Sequence, residues 1–394
     1  MPRVIKLFYL QRFFHHLNFF WAIDKIFFSH SGINPFQISI ILSLWCAYVL
    51  IFEVPSGAIA DRWSRRWVMT IGSIFHTLSY LIWIFFSGFN WFLLGYLLRG
   101  TGSFLQSGTK EALVYDHLKN LGMADRYEKY NGYLWVITSL AFLIASLLSG
   151  LLADKFSFTL VLILTVITNV ISTIFTVMMP DAPKSKSTQE LSYWRFIIDA
   201  FKTAKKNPLL LQAIFYTMTV LAVDGVLDEY DQLYVTSIGL PLAGLGIWWG
   251  LRMGSEMLAG LVAHKIKFLG REKLLEYIAW ISLVAITLSA LINSILMIII
   301  LAICFFFFSI AVILNEARMQ SLIESHQRAT ISSINALTKE SVAILIGLGF
   351  GYVATAVNPR IAMLVFSGCI LIYLIGKKLL ILNKNLSFLK NKMV

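Results

Sequence analysis

Long apolar runs constrain this chain more than any other feature of its sequence. The segment 293–321 is typical, since it carries no charged side chain before Glu316. A helix needs about 20 such residues to cross the roughly 30 Å hydrocarbon core of a bilayer. The whole chain is 58% hydrophobic and only 14% charged, whereas soluble domains carry about 25% charged residues. The sequence therefore predicts an all-α integral membrane protein.

Twelve segments are predicted to span the membrane, and we number them spans 1 to 12. They lie at about 4–28, 36–60, 66–87, 90–117, 130–153, 157–179, 208–236, 242–265, 271–291, 293–321, 327–355 and 359–382. Span 1 is the least apolar. A polar segment separates spans 6 and 7, which predicts an N-terminal six-helix half (1–180), a cytoplasmic linker (181–207) and a C-terminal six-helix half (208–394). The end of the linker is either an amphipathic helix on the inner leaflet or a solvated helix.

The distribution of basic residues orients these spans. The formal net charge is +12, and with twelve crossings nearly all lysines and arginines outside the spans fall on one side. The opposite loops offer only Lys155 and Arg360. Because basic loops stay in the cytoplasm, both termini are predicted to be cytoplasmic, in the cytoplasmic (inner) membrane. This distribution accounts for the positive charge and argues against a nucleic acid partner.

A short signature recurs at the ends of four spans. Gly57-Ala-Ile-Ala-Asp-Arg62 closes span 2 and Gly150-Leu-Leu-Ala-Asp-Lys155 closes span 5. Gly260-Leu-Val-Ala-His-Lys265 closes span 8, and Gly351-Tyr-Val-Ala354 closes span 11. Neighbouring copies lie on spans of opposite direction, so each half contains a three-helix unit and its inverted copy.

This 3+3 repeat, present twice, resembles the arrangement of major facilitator superfamily transporters. The stretch from Gly57 to Arg66 closely resembles the superfamily's signature between spans 2 and 3, except that Ser64 stands where the family usually has Gly. Arg99-Gly-Thr-Gly102 resembles the family's arginine motif on span 4, whereas the Gly-Pro-rich span 5 motif of many drug antiporters is absent. The resemblance covers the whole chain.

The resemblance implies two functional regions. The first is a cytoplasmic gate, in which a charge cluster breaks as the halves move; its predicted members are Gly57, Asp61, Arg62, Arg65, Arg66, Glu111 and Asp116. The second is a central cavity lined by spans 1, 4, 7 and 10, with spans 2, 5, 8 and 11 beside them. Ionisable residues are indeed concentrated in spans 1, 4, 7, 8 and 11, whereas spans 3, 6, 9 and 12 have essentially uncharged interiors.

Ionisable residues at membrane depth are the candidates for binding solute or protons, because each costs several kcal/mol unless it is paired or hydrated. The predicted set is Asp24, Lys25, Arg99, Gln106, Asp224, Asp228, Arg252, Glu256, Lys339 and Glu340. Arg252 and Glu256 are spaced for an ion pair, which is either functional or static. Asp228 lies either in the cavity or in water at the outer mouth. We expect the strongest functional role for Asp224, Lys339 and Glu340.

These features predict a secondary active transporter that moves a small polar or charged solute by alternating access, coupled to protons. Export of a metabolite or drug-like compound is the favoured direction, and import of a nutrient or metal chelate is the alternative. A membrane enzyme and a non-transporting receptor are the competing classes. The sequence contains no recognisable catalytic, phosphate-binding or metal-binding motif, and its histidines are scattered. We therefore expect a monomer in lipid without metal or cofactor, and no enzymatic activity.

Overall fold

The structure is a computed structural model that describes residues 2–107, 109–123, 126–181, 207–266, 270–323 and 328–392. Within these ranges the regular secondary structure is helical throughout. Nine of the described helices are long and apolar enough to cross a bilayer. They correspond to all the predicted spans except 1, 4 and 8. The all-α membrane fold is confirmed, while the count of twelve spans stays a prediction.

The first six predicted spans contain eight α-helices and one 3₁₀ turn in the described part of the chain. The bounds are Arg3–His16, Trp21–Ile23 and Asp24–His30 for span 1, then Pro35–Arg62, Arg65–Phe85, Phe89–Gln106 with Thr109–Asn120, Tyr127–Lys155, and Phe158–Met178.

The remaining spans begin at Asn207, whose side chain accepts hydrogen bonds from two backbone N–H groups and so caps span 7. Their bounds are Pro208–Tyr216 with Thr217–Leu221 and Ala222–Ser237, then Leu245–Val262, Arg271–Leu291, Met297–Leu322, Arg328–Ala356 and Pro359–Lys392. The predicted amphipathic helix of the linker lies outside the described residues.

Helix ends coincide with the repeated signature. Spans 2 and 5 end at Arg62 and Lys155, the basic residues that close their copies of the motif. Span 8 ends at Val262, within its copy of the motif, and span 11 ends at Ala356, just beyond its copy. Gly150 has a packing reason to be glycine, because an added Cβ would collide with the carbonyl oxygen of Leu242. Small residues allow such close backbone approach between membrane helices.

The chain forms two compact units. Unit 1 contains Met1–Gln189 together with Leu240–Gly250, and unit 2 contains Glu190–Gly239 and Leu251–Val394. One apolar cluster of unit 1 joins spans 1, 3, 4 and 6 and includes Ile5, Met69, Leu113 and Met179. A corresponding cluster of unit 2 joins spans 7, 10 and 11. The predicted division at 181–207 stays a prediction.

Span 1 is interrupted between His16 and Trp21, and side chains satisfy the freed backbone groups. The Asn18 side chain accepts hydrogen bonds from the N–H groups of Phe20 (3.1 Å) and Trp21 (3.3 Å). The Thr168 hydroxyl of span 6 donates to the Leu17 carbonyl at 3.0 Å. Non-helical backbone at membrane depth is tolerated only where such partners or water are available. Span 1 therefore consists of two half-helices.

Span 7 is interrupted differently, by a π-helical turn at Thr217–Leu221. Asn315 of span 10 is buried, and its amide donates to the Ala213 carbonyl (3.1 Å) and to the Thr217 hydroxyl (3.0 Å). A π-helical turn inside an α-helix often marks a functional region, because it leaves a carbonyl without its normal partner. Span 4 is also divided, between Gln106 and Thr109. Three of the four spans expected to line the cavity are thus irregular.

Candidate functional site

Asp24 and Lys25 form a closed ion pair in unit 1. The Lys25 ammonium lies 3.1 Å from the Asp24 carboxylate, and both side chains are buried. The Tyr96 hydroxyl of span 4 donates to the same carboxylate at 3.0 Å, and the Lys25 backbone N–H donates at 2.8 Å. Asp24 opens the second half-helix of span 1, where a negative charge is favourable. The interruption of span 1 therefore positions this pair.

Arg99 and Gln106 lie one above the other on span 4 but have different neighbours. The Arg99 guanidinium stacks on the Trp21 ring at 4.3 Å, a cation–π contact with the interrupted part of span 1. Gln106 is buried and donates to the Ser73 hydroxyl of span 3 at 3.2 Å. Arg99 thus belongs to the surroundings of the ion pair, whereas Gln106 joins two helices.

A cluster of imidazole rings lies nearby in unit 1, and the sequence analysis did not predict it. The His15 ring lies 5.1 Å from that of His76 on span 3 and 5.4 Å from that of His16. Arg12 contacts the His16 ring at 2.6 Å. Lys110 and Arg12 interact electrostatically with all three rings. These histidines are gathered rather than scattered, and their surroundings are cationic.

Unit 2 contains the opposite arrangement, with carboxylates gathered around one guanidinium. The three carboxylates lie 2.5 to 2.9 Å from Arg252 and belong to Asp228, Asp231 and Glu256. The Phe305 ring of span 10 covers the guanidinium at 4.1 Å. Asp231 is fully buried, whereas the Asp228 and Glu256 side chains are 35% and 37% exposed. The ion pair predicted between Arg252 and Glu256 is present, within a larger network.

Asp224 lies on span 7, one turn before Asp228, directly after the π-helical turn. Arg252 and Lys339 are the cations that interact electrostatically with it. Lys339 of span 11 approaches the backbone of span 7, since its ammonium would lie 3.4 Å from a Cβ added at Gly225. Glu340 is partly buried beside Lys339 in sequence. Most of the predicted site residues of unit 2 therefore interact with one another across spans 7, 8 and 11.

The predicted cytoplasmic gate is described in part. Arg65 at the start of span 3 forms an ion pair with Asp116 of span 4. Arg66 donates to the Met179 carbonyl at 3.4 Å and stacks near the Trp67 ring. The structure describes the helix at the other four predicted members but not their side-chain surroundings; these members are Gly57, Asp61, Arg62 and Glu111. No group of three or more potential metal ligands is found among the described side chains.

The sequence analysis did not predict which side chains contact residues of another span. Arg12 and His16 are four residues apart, a spacing that places both on one helix face, and this signal was available. By contrast, nothing in the sequence links His15 to His76, or Asn315 to the π-helical turn. The recruitment of Asp231 to Arg252 also depends on the packing of span 7 against span 8.

Comparisons with known proteins agree with this architecture. The chain superposes on the crystal structure of the nucleoside transporter NupG with a TM-score of 0.78, at 16% identity, covering 95% of this chain and 98% of that one. A bacterial homologue of the lysosomal transporter Spinster gives 0.69 at 12% identity, covering 94% and 93%. A bacterial homologue of ferroportin also gives 0.69 at 12% identity, covering 95% and 97%. Likeness at these identities concerns the fold alone.

Sequence comparison gives the family. A protein described as an uncharacterized transporter of Buchnera aphidicola subsp. Schizaphis graminum (strain Sg) is 23% identical over 128 residues, which are 32% of this chain and 31% of that protein. The match thus spans about a third of that curated relative. The family model described as Major Facilitator Superfamily matches residues 9–348. The chain therefore belongs to the major facilitator superfamily and is a multi-pass membrane protein.

Proposed function

We propose that this protein moves a small polar or charged solute across the cytoplasmic membrane by alternating access, with protons as the coupling ion. The cytoplasmic position of both termini and the role of the predicted site residues are part of the proposal. The observation that carries it is the carboxylate network of unit 2.

That network has an excess of negative charge. One guanidinium contacts three carboxylates, a formal excess of two negative charges in a membrane-spanning region. Uncompensated charge at membrane depth costs several kcal/mol. Binding of a proton or of a cationic group relieves this cost, and the partly exposed Asp228 and Glu256 are accessible to either. Coupling requires that the number of protons bound to these carboxylates changes when the solute binds.

Asp224 and Lys339 supply the second element of the proposal. They belong to spans 7 and 11, and Asp224 follows a helix irregularity of the kind that lines binding cavities in transporters. Changes in the charge of Asp224 act directly on Arg252 and Lys339. We propose that protonation of Asp224 and binding of solute are linked through these two cations.

Direction is proposed as export of a metabolite or drug-like compound, with import of a nutrient or metal chelate as the alternative. Purified protein in liposomes loaded with a pH-sensitive dye tests coupling. Panels of amino acids, nucleosides, organic acids and amines are added outside, and proton movement is recorded. We expect proton movement with at least one solute class, and the sign of the proton flux gives the coupling mode.

Variants then assign the site. We expect Asp224→Asn and Lys339→Ala to reduce coupled transport at least about tenfold, equivalent to about 1.4 kcal/mol, while insertion and thermal stability stay near wild type. Asp154→Asn and Lys155→Ala are matched controls, because these side chains are exposed at the end of span 5. Wild-type transport by both test variants would remove them from the site, and transport unaffected by collapse of the proton gradient would remove proton coupling.

A further inference from the structure

A cavity in unit 1 is lined by side chains other than those of the Asp24–Lys25 ion pair. It opens between spans 1, 4 and 5; the space that it encloses is about 40 Å³, and the mouth in front of it is wider and open. One water needs roughly 10 to 15 Å³ of such space, so the enclosed part has room for a small polar group, and the rest of a larger ligand would lie in the mouth.

The wall combines two cations with aromatic rings. Arg12 of span 1 and Lys110 of span 4 are the charged members of the described wall. Tyr9, Tyr127 and Tyr130 contribute rings, and Asn131 contributes an amide. Such a wall presents positive charge and flat apolar surface to the same ligand. Cations recognise a carboxylate through charge-assisted hydrogen bonds, and aromatic rings pack favourably against another flat ring.

The aromatic part of the wall is held in place before any ligand binds. The Tyr9 hydroxyl donates to the Tyr130 carbonyl at 2.8 Å, which ties span 1 to span 5. The Tyr127 ring packs edge-on against that of Tyr115 at 5.5 Å. Rings that are already ordered lose little conformational entropy on binding. The cavity is therefore suited to a rigid ligand with a ring.

The cationic part of the wall continues into the imidazole cluster. Arg12 contacts His16, and both Arg12 and Lys110 interact electrostatically with His15 and His76. An anion beside Arg12 would lessen the mutual repulsion of the two cations and would leave the histidines in a less positive field. An anion bound there would therefore also lower the electrostatic energy of the imidazole cluster.

We propose that this cavity binds a small aromatic carboxylate, with the carboxylate at Arg12 and Lys110 and the ring among the three tyrosines. The inference rests on the proposed function, because the ligand would be the transported solute or a close analogue of it. It names a substrate class that the family assignment does not give.

Three probes test the two parts of the proposal on the full-length protein in detergent, by isothermal titration calorimetry. Indole-3-acetate carries both the ring and the charge, indole-3-acetamide lacks the charge, and cyclohexylacetate lacks the flat ring. We expect saturable binding of indole-3-acetate, and binding at least about tenfold weaker for each of the other two. No measurable binding of indole-3-acetate at millimolar concentration would overturn the proposal, as would equal binding of all three probes.

Matched variants locate the site. Arg12→Gln and Lys110→Gln are each expected to weaken indole-3-acetate binding at least about tenfold, whereas Arg3→Gln and Lys119→Gln, on exposed positions of the same helices, leave it unchanged. Arg12→Lys and Lys110→Arg keep the charge and retain most of the affinity. Tyr127→Leu weakens indole-3-acetate more than cyclohexylacetate. Unchanged affinity in both glutamine variants would overturn the assignment.

The liposome assay separates this inference from the proposed function. Coupled transport of another solute that depends on Asp224, together with no binding of indole-3-acetate, overturns the cavity assignment and leaves the transport mechanism intact. Binding of indole-3-acetate without any proton movement would leave the cavity assignment intact and overturn the proton-coupled mechanism. A melting temperature near wild type for each variant shows that lost affinity does not come from unfolding.

Discussion

The two charged clusters differ in balance, in exposure and in position: the pair of unit 1 directly follows the interruption of span 1, whereas the network of unit 2 lies on regular helix in spans 7 and 8. In unit 1, the single carboxylate of Asp24 is paired with the Lys25 ammonium, and both side chains are buried. The Tyr96 hydroxyl donates to the same carboxylate, and the Arg99 guanidinium lies nearby on the Trp21 ring. In unit 2, Arg252 faces three carboxylates, two of which are more than a third exposed. We expect the paired cluster of unit 1 to contribute mainly to stability, and we propose that the open cluster of unit 2 binds protons or cationic groups.

The largest effect on stability is expected from Arg252→Gln. Asp231 is fully buried, so the variant removes a cation that lies 2.9 Å from a buried carboxylate, and breaking a buried ion pair in this way costs about 3 to 5 kcal/mol. The free energy of unfolding, measured by titration with sodium dodecyl sulfate in mixed micelles, gives this loss. Adding Asp231→Asn should recover only part of it, because Asp228 and Glu256 still repel each other. Full recovery in the double variant would mean that these two carboxylates are not part of the network.

A smaller effect is expected from Lys25→Gln in unit 1. Asp24 keeps the Tyr96 hydroxyl and a backbone N–H as donors, so the loss should be about 2 kcal/mol. The double variant with Asp24→Asn should return to within about 1 kcal/mol of wild type, because removal of both charges also removes their burial cost. A double variant as unstable as the single one would show that the pair is not a self-contained unit. The same micelle titration provides the measurement.

The smallest effect is expected where a side chain supports an interruption. Asn315→Ala removes two hydrogen bonds to span 7 and should cost about 1 to 2 kcal/mol. It should also lower transport, since Asp224 follows the same interruption. Asn18→Ala, which removes the corresponding support in span 1, should cost a similar amount of stability with a smaller loss of transport. Equal losses of transport would mean that both interruptions serve the same function.

Much of the architecture was predictable because its signals are local. Helical geometry alone places Arg252 beside Glu256, and the four signature copies mark where spans 2, 5, 8 and 11 end. Orientation and the six-helix division stay predictions. The polarity of Gln106 was a weaker guide to the cavity, because its side chain contacts Ser73 of span 3. A polar side chain in an apolar helix satisfies a neighbouring helix as readily as it lines a cavity.

The sites were less predictable because they depend on contacts between distant spans. The interruption of span 1 at Asn18 depends on two other spans. The Tyr80 hydroxyl accepts a hydrogen bond from the Asn18 amide, and the Thr168 hydroxyl donates one to the Leu17 carbonyl. The imidazole cluster requires span 3 to pack against span 1, and the tyrosine cavity requires spans 1, 4 and 5 together. Spacing along one helix carries none of this information. Packing between helices determines which polar residues form one site.

The spans that are interrupted or less apolar affect how the chain enters the bilayer during synthesis. Predicted spans 1, 4 and 8 are not among the nine described helices that are long and apolar enough to cross by themselves. Insertion by the translocon depends on the hydrophobicity of each emerging segment. We therefore expect span 2 to act as the first effective insertion signal, and spans 1, 4 and 8 to be retained through their already inserted neighbours. The residues that we propose to act in transport would thus make its biogenesis cooperative.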